Sequence, residues 1–167
     1  MISHKVEVGF HPQWKGQQGL FAVSDIHAGE RVWWVAKNSQ TEVEYTQEEI
    51  LALLEPYQSH FDRYCFQVGH NLFHGPARID STEPGSYMNH SCDPNCWLES
   101  DFSMVARRDI PAGDELVVDY GTFWSKDYCI DPCLCGSPEC RGKVGGDDYK
   151  TLALKYNHRI MEYMIED

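Results

Sequence analysis

Basic residues are scarce in this chain. Fourteen lysines and arginines stand against 26 aspartates and glutamates, for a formal charge of −12 over 167 residues. A nucleic-acid-binding module needs a basic face to neutralise phosphates, so no direct nucleic-acid contact is expected. Long apolar runs are lacking too. None approaches the ~20 residues that a membrane-spanning helix requires, so no membrane association is expected. The segment from Met1 to Trp14 lacks the charged-then-apolar pattern of a secretory signal. Linkers and low-complexity tracts are missing as well. These absences predict an intracellular protein, nuclear or cytoplasmic, with reduced thiols. The length suits one domain with a small appendage, large enough for a core that needs no disulfides.

The charge that is present is unevenly spread. From Ala36 to Asp62, Lys37 stands alone against six acids; from Asp109 to Asp131, Lys126 stands alone against another six. Such runs are usually solvated faces, and they also create a negative field that steers a cationic partner. Gly, Pro and Asn interrupt the chain often. The apolar runs between them are short: Gly19–Val23, Arg31–Ala36, Tyr64–Val68, Met104–Ala106 and Leu116–Asp119. That punctuation predicts strands. Two helices are expected. Thr46-Gln47-Glu48-Glu49 is a capping box, in which the Thr46 hydroxyl takes the Glu49 N–H and Glu49 reaches back. Ile50, Leu51 and Leu54 would form its apolar face, and Pro56 would end it. A second helix is predicted after Gly145-Gly146-Asp147-Asp148. There Tyr149, Leu152, Ala153, Tyr156, Ile160, Tyr163 and Met164 recur at helical spacing, as core or docking surface. One internal similarity is present. Ala22-Val23-Ser24-Asp25-Ile26-His27-Ala28-Gly29-Glu30 echoes Ala106-Arg107-Arg108-Asp109-Ile110-Pro111-Ala112-Gly113-Asp114, which predicts two related hairpins.

There are seven cysteines. Where thiols stay reduced, clustered cysteines point to metal rather than to disulfides. Cys133-Leu134-Cys135-Gly136-Ser137-Pro138-Glu139-Cys140 lets the backbone curl between thiols, so that three thiolates can reach one tetrahedral ion. A structural zinc takes four ligands, and spacing leaves Cys129, Cys96 and Cys92 as candidates for the fourth. All-cysteine sites are normally closed, which favours a structural zinc over a catalytic one. Cys65 lies in an aromatic strand pattern and reads as a small buried hydrophobe. His70 and His74 lie in a loop or strand context, not as a helical chelating pair. No open His/Glu set exists for a zinc hydrolase.

Two further segments carry most of the specificity. Tyr87-Met88-Asn89-His90-Ser91-Cys92-Asp93-Pro94-Asn95-Cys96 is dense in side chains that bond backbone, and alone reads as a stiff turn. Ile110-Pro111-Ala112-Gly113-Asp114-Glu115-Leu116-Val117-Val118-Asp119-Tyr120-Gly121 reads as a turn and a strand ending in a tyrosine. Lys15-Gly16-Gln17-Gln18-Gly19-Leu20-Phe21-Ala22 and Ile79-Asp80 precede them, and the cysteine cluster with Arg141-Gly142 follows. In this order the segments resemble the SET domain family of protein lysine methyltransferases, with a post-SET zinc-binding segment. The resemblance runs from about Lys15 to Gly142.

The resemblance implies a mostly β fold of small sheets with a few short helices. In it the asparagine motif and the final tyrosine segment thread past each other in a pseudoknot-like arrangement. It divides the chain into a SET domain at 1–128, a post-SET zinc segment at 129–145 and a C-terminal helix at 146–167. It implies methyl transfer from S-adenosylmethionine to a lysine of a basic protein, such as a histone tail. Gln18, Gly19 and Leu20 would contact the donor through backbone, joined by Tyr87, Asn89 and His90. Tyr120 would be the catalytic tyrosine, assisted by Tyr64. The lysine channel would be lined by Tyr64, Phe66, Val118, Phe123 and Trp124. Cys92 would complete a structural zinc site with Cys133, Cys135 and Cys140. The C-terminal helix could also serve a homodimer. The alternative is a catalytically silent SET domain acting as a zinc-stabilised interaction module, which would have no need of Tyr120 and Asn89-His90.

Several positions depart from the family pattern. The usual Gly-x-Gly is Gln17-Gln18-Gly19, with Gly16 displaced by one. The usual Arg-Phe before the asparagine motif is Ser86-Tyr87. Val118 stands where relatives often carry Phe or Tyr, a position that tunes how many methyls are added. No pre-SET cysteine cluster precedes the core.

Overall fold

The computed structural model describes residues 1–35, 42–80, 82–100, 102–124 and 129–165. Ala36, Lys37, Lys126, Asp127 and the expected boundary at 128 lie outside the described residues, as do the side chains of Glu42 and Asp62. Twelve short strands and three short helices follow in chain order among the described residues. They are β1 (Val6–Phe10), β2 (Gln18–Ala22), β3 (Arg31–Trp34), β4 (Glu42–Tyr45), α1 (Gln47–Leu51), α2 (Tyr57–Tyr64), β5 (Phe66–Gly69) and β6 (Leu72–Pro76). Then come β7 (Asn89–His90), β8 (Cys96–Leu98), β9 (Ser103–Ala106), β10 (Glu115–Val118), β11 (Cys129–Ile130), β12 (Val144–Gly145) and α3 (Tyr149–Lys155). The strands form four small sheets, ordered β1-β2-β10-β7, β3-β9-β8, β4-β6-β5 and β11-β12. This is the mostly β architecture of small sheets that the resemblance implied, built from the strands that the punctuation predicted.

Alternation decides which faces are buried. In β10, Leu116 and Val118 turn into the main core while Glu115 and Val117 lie less deeply. Leu20 of β2, Trp33 of β3 and Met104 and Ala106 of β9 join the same core. Burial of each large side chain here stabilises the fold by about 1.5–3 kcal/mol relative to exposure.

The internal similarity has a different structural meaning from the one expected. The two copies do not each fold into a hairpin; they pair with each other. Ile26 and Ile110, each 1% exposed, form an antiparallel bridge with N–H···O distances of 2.9 and 2.8 Å. The pattern is reciprocal. Asp109 accepts the Ala28 N–H at 2.9 Å and Asp25 accepts the Ala112 N–H at 3.0 Å. Gly29 donates to Ala106 and Gly113 to Ala22. Both glycines sit at positive φ (85° and 91°), which side chains resist. Each copy leaves one sheet and enters another, so its partner was the other copy rather than itself.

Both helix expectations need correction. The capping box at Thr46 forms with both its bonds. The helix is only five residues long: the Ala52 N–H makes its last α-type bond, to Glu48, and the Leu53 N–H then tightens onto Ile50 at 3.1 Å. Ile50 alone enters a small core with Phe61 and Cys65; Leu51 and Leu54 are 62% and 81% exposed. Beyond Pro56 a further helix, α2, was not foreseen. At the other end, α3 is only seven residues long. Asn157 and His158 adopt φ of 51° and 61°, the left-handed region that ends helices. The His158 N–H caps Ala153. The chain then doubles back, the Met161 N–H bonds Thr122, and a short turn at Glu162–Met164 follows. Leu152, Ala153 and Tyr156, with Met161 and Met164 beyond them, are buried within this chain, so most of that apolar stripe is core.

Candidate active site and metal centre

The site is built where two distant segments lie side by side. β7 runs parallel to β10, with Asn89 opposite Val117 and His90 opposite Val118. The Ser91 N–H extends the ladder to Val118 at 2.9 Å. Asn95 substitutes for a strand with its side chain. It accepts the Val117 N–H and donates to the Glu115 carbonyl, both at 2.8 Å. Asn95 is itself buried, so its loss would leave two backbone groups of β10 without these partners.

Tyr120 follows directly and is held at both ends. Its N–H donates to His90 Nδ1 at 3.1 Å and its hydroxyl donates to the Met88 carbonyl at 2.7 Å. Three cavities meet at this residue. A narrow one of about 60 Å³ is lined by Tyr64, Phe66, Val118, Phe123 and Trp124. A polar one of about 260 Å³ is lined by Gln17, Gln18, Tyr87 and Asn89, with Arg63 and Ser86. A third of about 350 Å³ is lined by Asn89, His90, Trp14, Ile130 and Leu134. The structure thus brings together all five residues expected in the lysine channel. It also brings Gln18, Tyr87, Asn89 and His90 to the two larger cavities.

Gly19 and Leu20, expected to meet the donor through backbone, do not line these two cavities. Leu20 is fully buried in the core. Gly19 lies over the Asn89–Glu115 contact, where a Cβ would fall 2.3 Å from the Glu115 carboxylate. The Asn89 amide has both donors engaged, on Gln18 O (2.9 Å) and Glu115 Oε1 (2.7 Å), and it accepts from Gln17 Nε2 at 3.0 Å. It ties the Gln18 carbonyl and the Gln17 side chain to Glu115. Sequence reasoning missed Trp14, Gln17, Arg63 and Ser86 as cavity walls. Trp14, stacked on His11 at 3.9 Å, immediately precedes the Lys15 segment, and that adjacency was the available signal.

Beside the cavities, Cys92, Cys133 and Cys135 gather with His90, their ligand atoms all within 4.8 Å of one another. Four sulfurs about 2.3 Å from one zinc would lie about 3.8 Å apart, and Cys92 Sγ is 3.9 Å from Cys133 Sγ. Cys140, the remaining expected thiol, is not in that group of mutually close ligand atoms; it packs against the cluster, donates to the Cys133 carbonyl at 3.5 Å and accepts the Gly142 N–H. Cys96 is in the main core and Cys129 is exposed, so of the three candidates for the fourth thiol only Cys92 joins the cluster. Burial pushes the thiols of Cys92 and Cys133 up, to about 11 and about 12. Burial also opposes ionisation of Cys135, yet hydrogen bonds from nearby backbone and thiols bring it down to about 7. A cation is what such a set requires to ionise together. His90 has its Nδ1 occupied by the Tyr120 N–H, which leaves Nε2–H to donate to Cys92 Sγ at 3.4 Å. Burial holds its pKa down to about 4, in keeping with a neutral ring.

A buried ion pair ties this cluster to the tyrosine. Asp119, 1% exposed, receives both terminal nitrogens of Arg141 at 2.7 Å, the Gly121 N–H at 3.1 Å and the Tyr156 hydroxyl at 3.2 Å. Arg141 also bonds Asp148 at 2.9 Å and donates its N–H to Cys92 Sγ at 3.4 Å. These charged bonds raise the Arg141 pKa despite burial. Two acids of the second acidic run are therefore structural: Asp119 in this pair, and Glu115 between Asn89 and His11.

Comparison with known proteins agrees with this geometry. The model of the SET domain matches residues 17–121. The chain belongs to the SET domain family. Among its curated relatives, the H3 lysine-36 specific histone-lysine N-methyltransferase of Aspergillus oryzae is 36% identical over 102 residues, which cover 53% of this chain and 10% of that protein. The histone-lysine N-methyltransferase ash1 of Drosophila melanogaster is 32% identical over 108 residues, 59% of this chain and 5% of that protein. The histone-lysine N-methyltransferase trithorax of Drosophila virilis is 33% identical over 140 residues, 74% of this chain and 3% of that protein. The chain spans a tenth or less of the length of these relatives. No helix among the described residues is long and apolar enough to cross a membrane.

Proposed function

We propose that the chain is an S-adenosylmethionine-dependent protein-lysine N-methyltransferase acting on a basic protein, with a histone tail as the leading substrate class and a nuclear or cytoplasmic setting. The observation that carries this reading is the position of Tyr120, shared by a narrow aromatic channel and two larger cavities, one of them polar. The residues suit the donor. The two larger cavities share Gln17, Asn89 and Tyr120, their walls combine polar side chains with Trp14 and Leu134, and Ser86 offers a buried hydroxyl without a partner. Bound there, S-adenosylmethionine supplies an electron-poor methyl on a sulfonium.

The chain's own residues would do the rest by alignment and desolvation. A lysine with pKa near 10.4 is almost wholly protonated at pH 7, a handicap of about 4–5 kcal/mol. Among the described residues the channel lining contains no carboxylate to stabilise an ammonium; desolvation in so narrow a channel disfavours the charged form, while the aromatic walls hold the alkyl stem. The Tyr120 hydroxyl donates to the Met88 carbonyl, which fixes the phenol where the three cavities meet. Cys92, Cys133, Cys135 and Cys140 would hold a structural zinc, with His90 donating to the Cys92 sulfur. The exposed acids Glu44, Glu48 and Glu55 near the channel-forming α2 would favour a lysine-rich segment.

Titration calorimetry on the zinc-loaded chain tests the reading. S-adenosylmethionine should bind, and Tyr120→Phe should bind it about as well while losing most turnover on a lysine peptide. A chain that gives no heat with S-adenosylmethionine is not this enzyme, and the silent interaction module would take its place.

A further inference from the structure

We propose that Arg63 binds the α-carboxylate of the methyl donor, an assignment that rests on the reading of this chain as an S-adenosylmethionine-dependent enzyme. Arg63 stands in the last turn of α2 and lines both the 60 Å³ channel and the 260 Å³ cavity. It is the one cation among the described residues lining those two spaces, and no aspartate or glutamate lines either. Its guanidinium lies 5.5 Å from the Tyr64 ring centroid and has no carboxylate partner among the described residues.

A second observation points to the same ligand group. Ser86 also lines both cavities, and its Oγ is buried without a hydrogen-bond partner. Arg63 and Ser86 come from different elements and meet at this cavity, where Arg63 is the guanidinium available. A planar fork beside an unpaired hydroxyl suits a planar anion that accepts several hydrogen bonds. The apolar walls, Trp14 and Leu134, belong to the neighbouring 350 Å³ cavity, reached across Gln17 and Asn89. The pair of cavities therefore fits a nucleoside at one end and a carboxylate at the other, with Tyr120 between. Arg63 is exposed, so its replacement leaves the packing of the core untouched.

The test compares two ligands that differ at the carboxylate end. Titration calorimetry is run with S-adenosylmethionine and with 5′-methylthioadenosine, which has the nucleoside and sulfur but no amino-acid portion. Arg63→Ala should weaken S-adenosylmethionine binding about tenfold or more, the worth of a charge-assisted hydrogen bond. It should leave 5′-methylthioadenosine binding within about twofold. Arg63→Lys, which keeps the charge and loses the fork, should fall between. Unchanged S-adenosylmethionine affinity in Arg63→Ala, or an equal loss for both ligands, overturns the assignment and leaves the enzyme reading standing. A wild-type chain that binds neither ligand overturns both.

Discussion

Replacing Arg141 with methionine removes the guanidinium that meets Asp119 and keeps much of the side chain's apolar volume. Asp119 would keep its bonds from the Gly121 N–H and the Tyr156 hydroxyl but lose two at 2.7 Å. Breaking one side of a buried pair costs about 3–5 kcal/mol, because the remaining charge stays buried without compensation. The two surviving donors put the expected cost near the lower end, about 3 kcal/mol. The Arg141–Asp148 contact, whose acid is 25% exposed where Asp119 is fully buried, adds less than about 1 kcal/mol. Denaturant unfolding at fixed zinc concentration should show that loss, with a fall in melting temperature of about 6–12 °C for a chain of this size. A double-mutant cycle with Asp119→Asn should give a coupling of at least about 2 kcal/mol. A cost under about 1 kcal/mol, or strict additivity, would refute the claim that this pair joins the cysteine segment to the tyrosine.

Other perturbations have equally direct outcomes. Cys135→Ser should abolish stoichiometric zinc, measured by elemental analysis, and open residues 129–145 to limited proteolysis; an unchanged metal count contradicts the four-cysteine assignment. Ile26→Ala leaves the backbone bridge between the two similar loops in place but removes one of the two buried side chains there, and should cost about 2–5 kcal/mol by denaturant unfolding, as buried isoleucine truncations do. A loss below about 1 kcal/mol would mean that the Ile26–Ile110 contact contributes little to joining the sheets.

The sequence disclosed the chemistry of the site better than its supports. Asn89, His90 and Tyr120 stand in short, dense motifs, and the five expected channel residues all border one cavity. Strand positions were legible because Gly and Pro punctuate short apolar runs; β2, β3, β5, β9 and β10 fall within two residues of the expected segments wherever these are described. What could not be read depends on contacts distant in sequence. Asp119 looks like one acid among six in its run until Arg141 reaches it across 22 residues. Asn89 looks like a ligand group until Gln17, Gln18 and Glu115 are seen to occupy its amide. The similar loops looked like hairpins because sequence shows each copy but not the reciprocal pairing between them. The C-terminal stripe kept helical spacing past Lys155 although Asn157 and His158 turn the backbone, since later residues return to the core by another path.

The central claim is that Tyr120 joins a donor site to a lysine channel in a working enzyme. Its most direct test is methyl transfer from labelled S-adenosylmethionine to an array of basic peptides, read by the position of the label. The account predicts label on lysine side chains of a subset of lysine-rich peptides, lost when that lysine becomes arginine and nearly lost with Tyr120→Phe. A chain that binds S-adenosylmethionine and zinc yet labels no lysine in any peptide would contradict it.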